Sequence, residues 1–452
     1  MVGQPVPGMA SKGFGRWKKL WWLLYWYPGF VARNLTHRFP AIFSGPTILV
    51  KRGPCATAVH SLLDTMITTC QETCPFFTTQ LSSHNPCPVY GVAGTMGGAP
   101  EYIHVNHKDA QLFVVSLLIA SGVSLQNAET VALGLVQADL RGVESHGINR
   151  LPSYLARIRS GVLNPKAEPT LTQVTPVVAQ VDANNGFGFP AAHLGMKTAI
   201  EMAKTFGIGM VSVKHSNHFG MSAWIVKQAV DAGMMSLVFT NSSPALPAWG
   251  GKEKLLGVSP IACGAPGREG SIPFILDMAP SVAARGKIHK AKRRGEKIPG
   301  DWALDAEGRP TDDPVKALDG GVMLPMSGPK GSGLAIMMDV FSGVLSGSAF
   351  AGGVTGPYDM SKPGDVGHFL VAIKPDLFMS MDEFRSRMET LYHRVIGSEK
   401  MEGVERIYFP GEIELLTERK RLVEGIPFVQ AEIDALNKEA EILKTGRIPV
   451  SL

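Results

Sequence analysis

Between residues 191 and 279, short apolar runs alternate with segments of helical spacing, and this alternation restricts the fold more than any other feature of the chain. The spacing predicts a helix over 191–206, a buried strand at Met210-Val211-Ser212-Val213, a helix over 221–232, a strand over 234–240 and a strand at Phe274-Ile275-Leu276. Strands that alternate with helices argue for an α/β fold. Upstream, residues 110–121 read as a helix that ends at Gly122. Ser124 is placed to cap a second helix, in which Ala128, Val131, Ala132 and Leu135 share one apolar face. The chain has 452 residues, 45% of them hydrophobic and 18% charged, which makes it globular and long enough for two or three domains.

Two stretches carry groups that move protons. In Val213-Lys214-His215-Ser216-Asn217-His218-Phe219-Gly220, two imidazoles sit three positions apart at a strand-to-helix corner, where side chains face a cleft. The same spacing also suits two histidines that cap the following helix or sit satisfied in the core. The second stretch, Asp139 to Tyr154, places His146, Arg150 and Tyr154 four residues apart, on one face if the segment is helical. An arginine fork there suits a planar carboxylate, with Tyr and His beside it to orient a hydroxyl or carbonyl; a solvated polar stripe is the plain alternative.

Residues 284–314 are charged and turn-rich, with Lys287, Lys290, Lys292, Arg293 and Arg294 close together, either as a solvated loop or as a site for phosphates. Gly328-Pro329-Lys330-Gly331-Ser332-Gly333 then reads as a turn entering a helix over 334–345, either a tight turn or a phosphate cradle. Neither GxGxxG after a strand nor GxxxxGK[ST] is present, so a Rossmann or P-loop reading is not supported.

Residues 1–98 differ from the rest. They contain no acidic residue before Asp64 and include Leu20-Trp21-Trp22-Leu23-Leu24-Tyr25-Trp26-Tyr27, an apolar run stopped by Pro28-Gly29 well short of the roughly 20 residues that cross a bilayer. Such a basic, Trp-rich extension fits a mitochondrial transit segment, weak contact with a membrane surface, or a disordered tail, with 92–100 as linker. Net charge is only +5 and lies largely in that extension, so it gives no case for nucleic-acid binding; small molecules are the expected partners. Cys55, Cys70, Cys74 and Cys87 precede residue 90 and leave Cys263 alone in the body. That excludes a disulfide framework there and suits a reducing compartment, the cytoplasm, or mitochondria if the extension is a transit segment.

The motifs ADLRGVESHGINRLPSY, HSNHFG, TNSSPALPAWGG, LDMAPSVAARGKI, LPMSGPKGSGLA with the following GVLSG, and FPGEIE resemble those of the type 2 malate/L-lactate dehydrogenase family, in order, from about residue 102 to 452. The resemblance implies a non-Rossmann NAD(P)-binding α/β fold. Its helical, substrate-binding part would span about 102–175, its NAD(P)-binding part about 176–375 and its C-terminal helical part about 376–452, with no counterpart for 1–98. It implies that His218 is the proton acceptor, with His146, Arg150 and Tyr154 on the substrate side. For NAD or NADP it implies Ser242, Asp277, Met278, Ala279, Lys330, Gly411 and Glu412, with no metal. Many relatives carry an aromatic residue where this chain has Ser332. A homodimer is expected, acting on an L-2-hydroxy acid of the malate or lactate type and its 2-oxo acid. Reduction of a cyclic ketimine carboxylate and oxidation of ureidoglycolate are the alternatives within the family.

Overall fold

The apolar spacing of the first two helices fixes how they meet. In the computed structural model, which describes residues 102–450, α1 (His107–Ala120) buries Ala110, Phe113, Val114, Leu117 and Leu118 and packs on α2 (Leu125–Leu140), which buries Ala128, Val131, Ala132 and Leu135. Truncating a fully buried leucine here, such as Leu117, would cost roughly 2–5 kcal/mol. Gly122, at φ +90°, turns the chain between them. Ser124 holds the N-cap position as expected, but its hydroxyl donates to Glu168 Oε1 at 2.9 Å and not to the helix. A third helix, α3 (Leu151–Arg159), follows. The extension 1–98 and its linker lie outside the described residues.

The alternating region builds one mixed sheet. Its strands are β1 (Thr170–Thr175), β2 (Val178–Asp182), β3 (Ile208–Ser216), β4 (Met235–Thr240), β5 (Ile261–Ala265), β6 (Phe274–Met278) and β7 (Val366–Ile373). They lie in the order β1-β2-β3-β7-β4-β5-β6, and only the β2–β3 pair is parallel. The late strand β7, Val-Gly-His-Phe-Leu-Val-Ala-Ile, is a near-continuous apolar run, as a strand covered on both faces requires. On one face α4 (Gly188–Phe206) packs over it, and Gly195 permits the approach, since a Cβ there would lie 2.7 Å from Leu370 Cδ1. Beside it α5 (Ser222–Asp231) packs on β4 and β5. The other face holds a cluster of Phe239, Met338, Phe341 and Phe369.

Two expectations change. The charged stretch expected as a loop begins with α6 (Arg285–Arg294), whose buried residues are Ile288 and Ala291; with so little apolar content, its spacing gives almost no signal. The glycine-rich turn is itself helical: α7 (Pro329–Asp339) starts behind Gly328 at φ +59°, takes in Lys330 to Gly333 and continues as a π-helical turn, Val340–Val344.

Three helices close the chain: α8 (Met381–Ile396), α9 (Glu412–Glu424) and α10 (Gln430–Leu443). The strand Ile426–Phe428 pairs antiparallel with Ile103–Val105, and α10 packs on α1 and α3, so the helical segments at both ends of the described chain share one core. No helix among the described residues is long and apolar enough to cross a membrane.

Candidate active site

His218 leaves the end of β3 on a turn held from both sides. The Asn217 amide donates to Gly186 O at 2.8 Å and to Asn185 O at 3.3 Å. Within the sheet His368 of β7 lies between the two neighbouring strand ends, with Thr240 Oγ1 2.7 Å from its Nδ1 and Ser216 Oγ 2.8 Å from its Nε2. Phe219 meets its ring edge-on at 4.5 Å. Burial pushes His368 down to about 3, so it is a neutral brace between β3 and β4. His215 does not join His218. It stands at φ +48°, exposed, with Nδ1 3.1 Å from Asp182 Oδ2, because a strand end sends residues three apart to different surroundings.

The stretch 139–154 is not one helix. Past α2 the chain makes two 3₁₀ turns, Glu144–His146 and Ile148–Arg150, before α3. The cause is local: Asp139 Oδ2 accepts the Ile148 N–H at 2.8 Å, and Gly147 takes an extended conformation against the carboxyl group. His146, Arg150 and Tyr154 nonetheless converge. The His146 ring stacks on His218 at 5.4 Å and 24°, and Tyr154 Oη lies 2.6 Å from His218 Nδ1. Phe187 and Phe189 meet the Tyr154 ring edge-on. Arg150 donates from Nε to Ser145 O at 2.6 Å and from Nη1 to Tyr358 Oη at 3.1 Å, with the Tyr358 ring beneath it. The loop bearing Tyr358 is pinned by buried Arg157, which donates to the carbonyls of Gly356, Asp359 and Lys362.

Charge at this corner is one-sided. Burial, reinforced by the Arg150 guanidinium, lowers His146 to about 4 and holds His218 well below the ordinary imidazole range. Burial raises the Tyr154 phenol, which keeps its proton. Two neutral imidazoles and a phenol beside an arginine can bind a carboxylate and pass a proton to or from a neighbouring oxygen.

These groups line one end of a cavity of about 450 Å³, which also reaches Ser242, the Asp277-Met278-Ala279 end of β6, and Gly411. Asp277 Oδ2 accepts the Ala223 N–H at 2.8 Å at the start of α5, and desolvation raises the acid to about 6, with Glu414 acting in the same sense. The hydroxyls of Ser222, Ser242 and Thr355 are buried along this cavity without a hydrogen-bond partner. Such orphaned groups fit the ribose and phosphate oxygens of a dinucleotide.

Lys330 and Glu412 do not line the cavity. Lys330 is exposed on the first turn of α7, whereas Glu412 is fully buried, accepting the Phe409 N–H at 2.9 Å and pairing with Arg406. Ser332 is buried and accepts the Trp249 N–H at 3.0 Å. No group of three metal-ligating side chains occurs among the described residues. Sequence reasoning missed Tyr358, Asn217, Asp139 and His368; of these, a lone histidine inside the apolar run of β7 is the one visible signal.

The family model described as malate/L-lactate dehydrogenase matches residues 105–437. A malate dehydrogenase of Pyrococcus abyssi is 37% identical over 346 residues, covering 75% of this chain and 94% of the relative. Among solved structures, the sulfolactate dehydrogenase from Methanocaldococcus jannaschii superposes with a TM-score of 0.72 at 34% identity, covering 76% of this chain and 98% of that one. The delta1-piperideine-2-carboxylate reductase from Pseudomonas syringae pvar. tomato gives 0.68 at 31% identity, over 75% of this chain and 99% of that one.

Proposed function

Since this chain belongs to the malate/L-lactate dehydrogenase family and is an NAD(P)-dependent oxidoreductase, we propose that it interconverts an L-2-hydroxy acid and its 2-oxo acid at the His146–Arg150–Tyr154–His218 corner. The observation that carries this reading is the 2.6 Å contact of Tyr154 Oη with His218 Nδ1, beside the Arg150 guanidinium and beneath the stacked ring of His146. Arg150 holds the substrate carboxylate, which fixes the 2-carbon. His218, neutral before substrate binds, takes the hydroxyl proton in oxidation and returns it in reduction. Tyr154 orients the imidazole, and His146 hydrogen-bonds the same substrate oxygen. Ser242, Asp277, Met278, Ala279 and Gly411 are the cavity residues assigned to NAD or NADP, which supplies or accepts the hydride when bound.

A second reading, reduction of a cyclic ketimine carboxylate, is favoured by the likeness to the Pseudomonas syringae reductase. The same arginine would bind the carboxylate, and C=N would stand where C=O stands. A panel of malate, lactate, sulfolactate, ureidoglycolate and a cyclic ketimine carboxylate, each with NAD and NADP in the matching redox state, separates the two. His218→Ala should lose about 10²–10⁴-fold in kcat on the preferred substrate while still binding the nucleotide. Retention of more than a third of wild-type kcat would remove His218 from the proton-transfer role.

A further inference from the structure

Beneath the turns that carry His146 and Arg150 lies a carboxyl group that the chemistry above does not use. Asp139, at the end of α2, is 0% exposed. Its Oδ2 accepts the Ile148 N–H at 2.8 Å, and its Oδ1 has no hydrogen-bond partner. Gly147 lies flat against it, so close that a Cβ there would fall 1.8 Å from Oδ1. The surrounding charges give a carboxylate little help. Glu144 in the turn and Glu432 in α10 oppose it; Arg421 of α9 favours it, but its hydrogen bonds go to the Asp139 backbone carbonyl at 2.6 Å and to Glu144 at 2.5 Å, not to the carboxyl group. A single backbone donor does not compensate a fully desolvated charge, whereas the unpaired hydroxyl of a neutral acid costs far less to bury.

We propose that Asp139 is a positioning residue that seats the 144–150 turns as a neutral carboxyl group, and that loss of its proton unseats His146 and Arg150 from the cavity. The second half rests on the assignment of those two residues to the substrate. Consistent with the geometry, burial raises Asp139 to about 8 against the opposing Ile148 hydrogen bond, with Glu144 adding to the rise. An aspartate released to solvent ionises near 3.9. Opened turns therefore gain about tenfold over closed ones for each pH unit between roughly 4 and 8, and nothing further above that.

The test is amide hydrogen exchange across 144–150 in the full chain between about pH 6 and 9.5, read together with steady-state kinetics. Hydroxide catalysis alone accelerates exchange about tenfold per pH unit; added opening makes this about a hundredfold for Ile148 below pH 8 and about tenfold above it. Asp139→Asn, which keeps an acceptor but cannot ionise, should return to about tenfold throughout and hold KM near the wild-type value. Asp139→Ala should raise KM for the acid more than it lowers kcat. A wild-type slope of tenfold throughout overturns the proposal whatever the substrate, and so does an unaltered steep slope in Asp139→Asn. A steep wild-type slope with an unchanged KM in Asp139→Ala supports the seating and overturns the assignment of Arg150 and His146 to the substrate. Should Asp139→Ala fail to fold, the wild-type and Asp139→Asn slopes decide alone.

Discussion

Replacing Tyr154 by Phe removes one oxygen atom from the site and almost nothing from the core. The phenol oxygen lies 2.6 Å from His218 Nδ1; with Nδ1 donating its proton to Tyr154 Oη, Nε2 is left to take the substrate proton. In the resting enzyme the imidazole is neutral, so the lost bond is worth about 0.5–1.5 kcal/mol; once His218 holds the substrate proton, the bond becomes charge-assisted and is worth about 1.5–3 kcal/mol. The excess, about 1–1.5 kcal/mol, falls on the transition state and corresponds to about a 5- to 13-fold drop in kcat with little change in KM. The phenyl ring keeps its edge contacts with Phe187 and Phe189, so Tm should fall by no more than about a few degrees. Single-turnover measurements at saturating nucleotide isolate the step from product release. A kcat within about threefold of wild type would show that the Tyr154–His218 contact does not change through the reaction and would refute this use of it.

Arg150→Lys should raise KM for the acid by at least about tenfold, because an ammonium cannot donate to Ser145 O and Tyr358 Oη while also gripping a carboxylate with two parallel bonds; an unchanged KM would place Arg150 off the substrate. A carboxylate bound at Arg150 offsets the guanidinium charge that helps depress His218 and His146, so the pKa of both should rise on binding. In oxidation the base must be neutral and activity is lost as pH falls through its pKa; the acid limb of kcat, which reports the complex, should therefore lie at higher pH than that of kcat/KM, and coincident limbs would contradict the idea. A chain beginning at Glu101 should keep full activity. One beginning at His107 should lose stability, since it lacks the strand that pairs Ile103–Val105 with Ile426–Phe428; equal melting of the two would show the pairing to be dispensable.

The sequence made the convergence at His218 legible for a partly mistaken reason. The four-residue recurrence of His146, Arg150 and Tyr154 suggests a helical face, but only Tyr154 is in an α-helix; the other two are aimed by 3₁₀ turns braced on Asp139, and periodicity does not encode a tertiary hydrogen bond. Strands and helices with apolar repeats, such as β3, α4 and α5, appear close to where the spacing puts them. α6 was hidden because its cations face water and only Ile288 and Ala291 mark its buried side. The place of His368 depends on which strands adjoin β7, and strand order is invisible to local pattern.

That strand order has a consequence for how the protein is made. β3 and β4 are separated by fewer than thirty residues, yet they do not pair with each other; each pairs with β7, whose last residue is Ile373. As the chain emerges from the ribosome, two apolar strands with open edges wait for well over a hundred residues to be synthesised, and neither can be satisfied by the other in the native register. Contacts so distant in sequence close slowly, and exposed edges invite pairing with other chains. For about a third of its synthesis the nascent chain is thus exposed to mispairing, and mutations that weaken β7 should reduce soluble yield before they reduce the turnover of whatever folds.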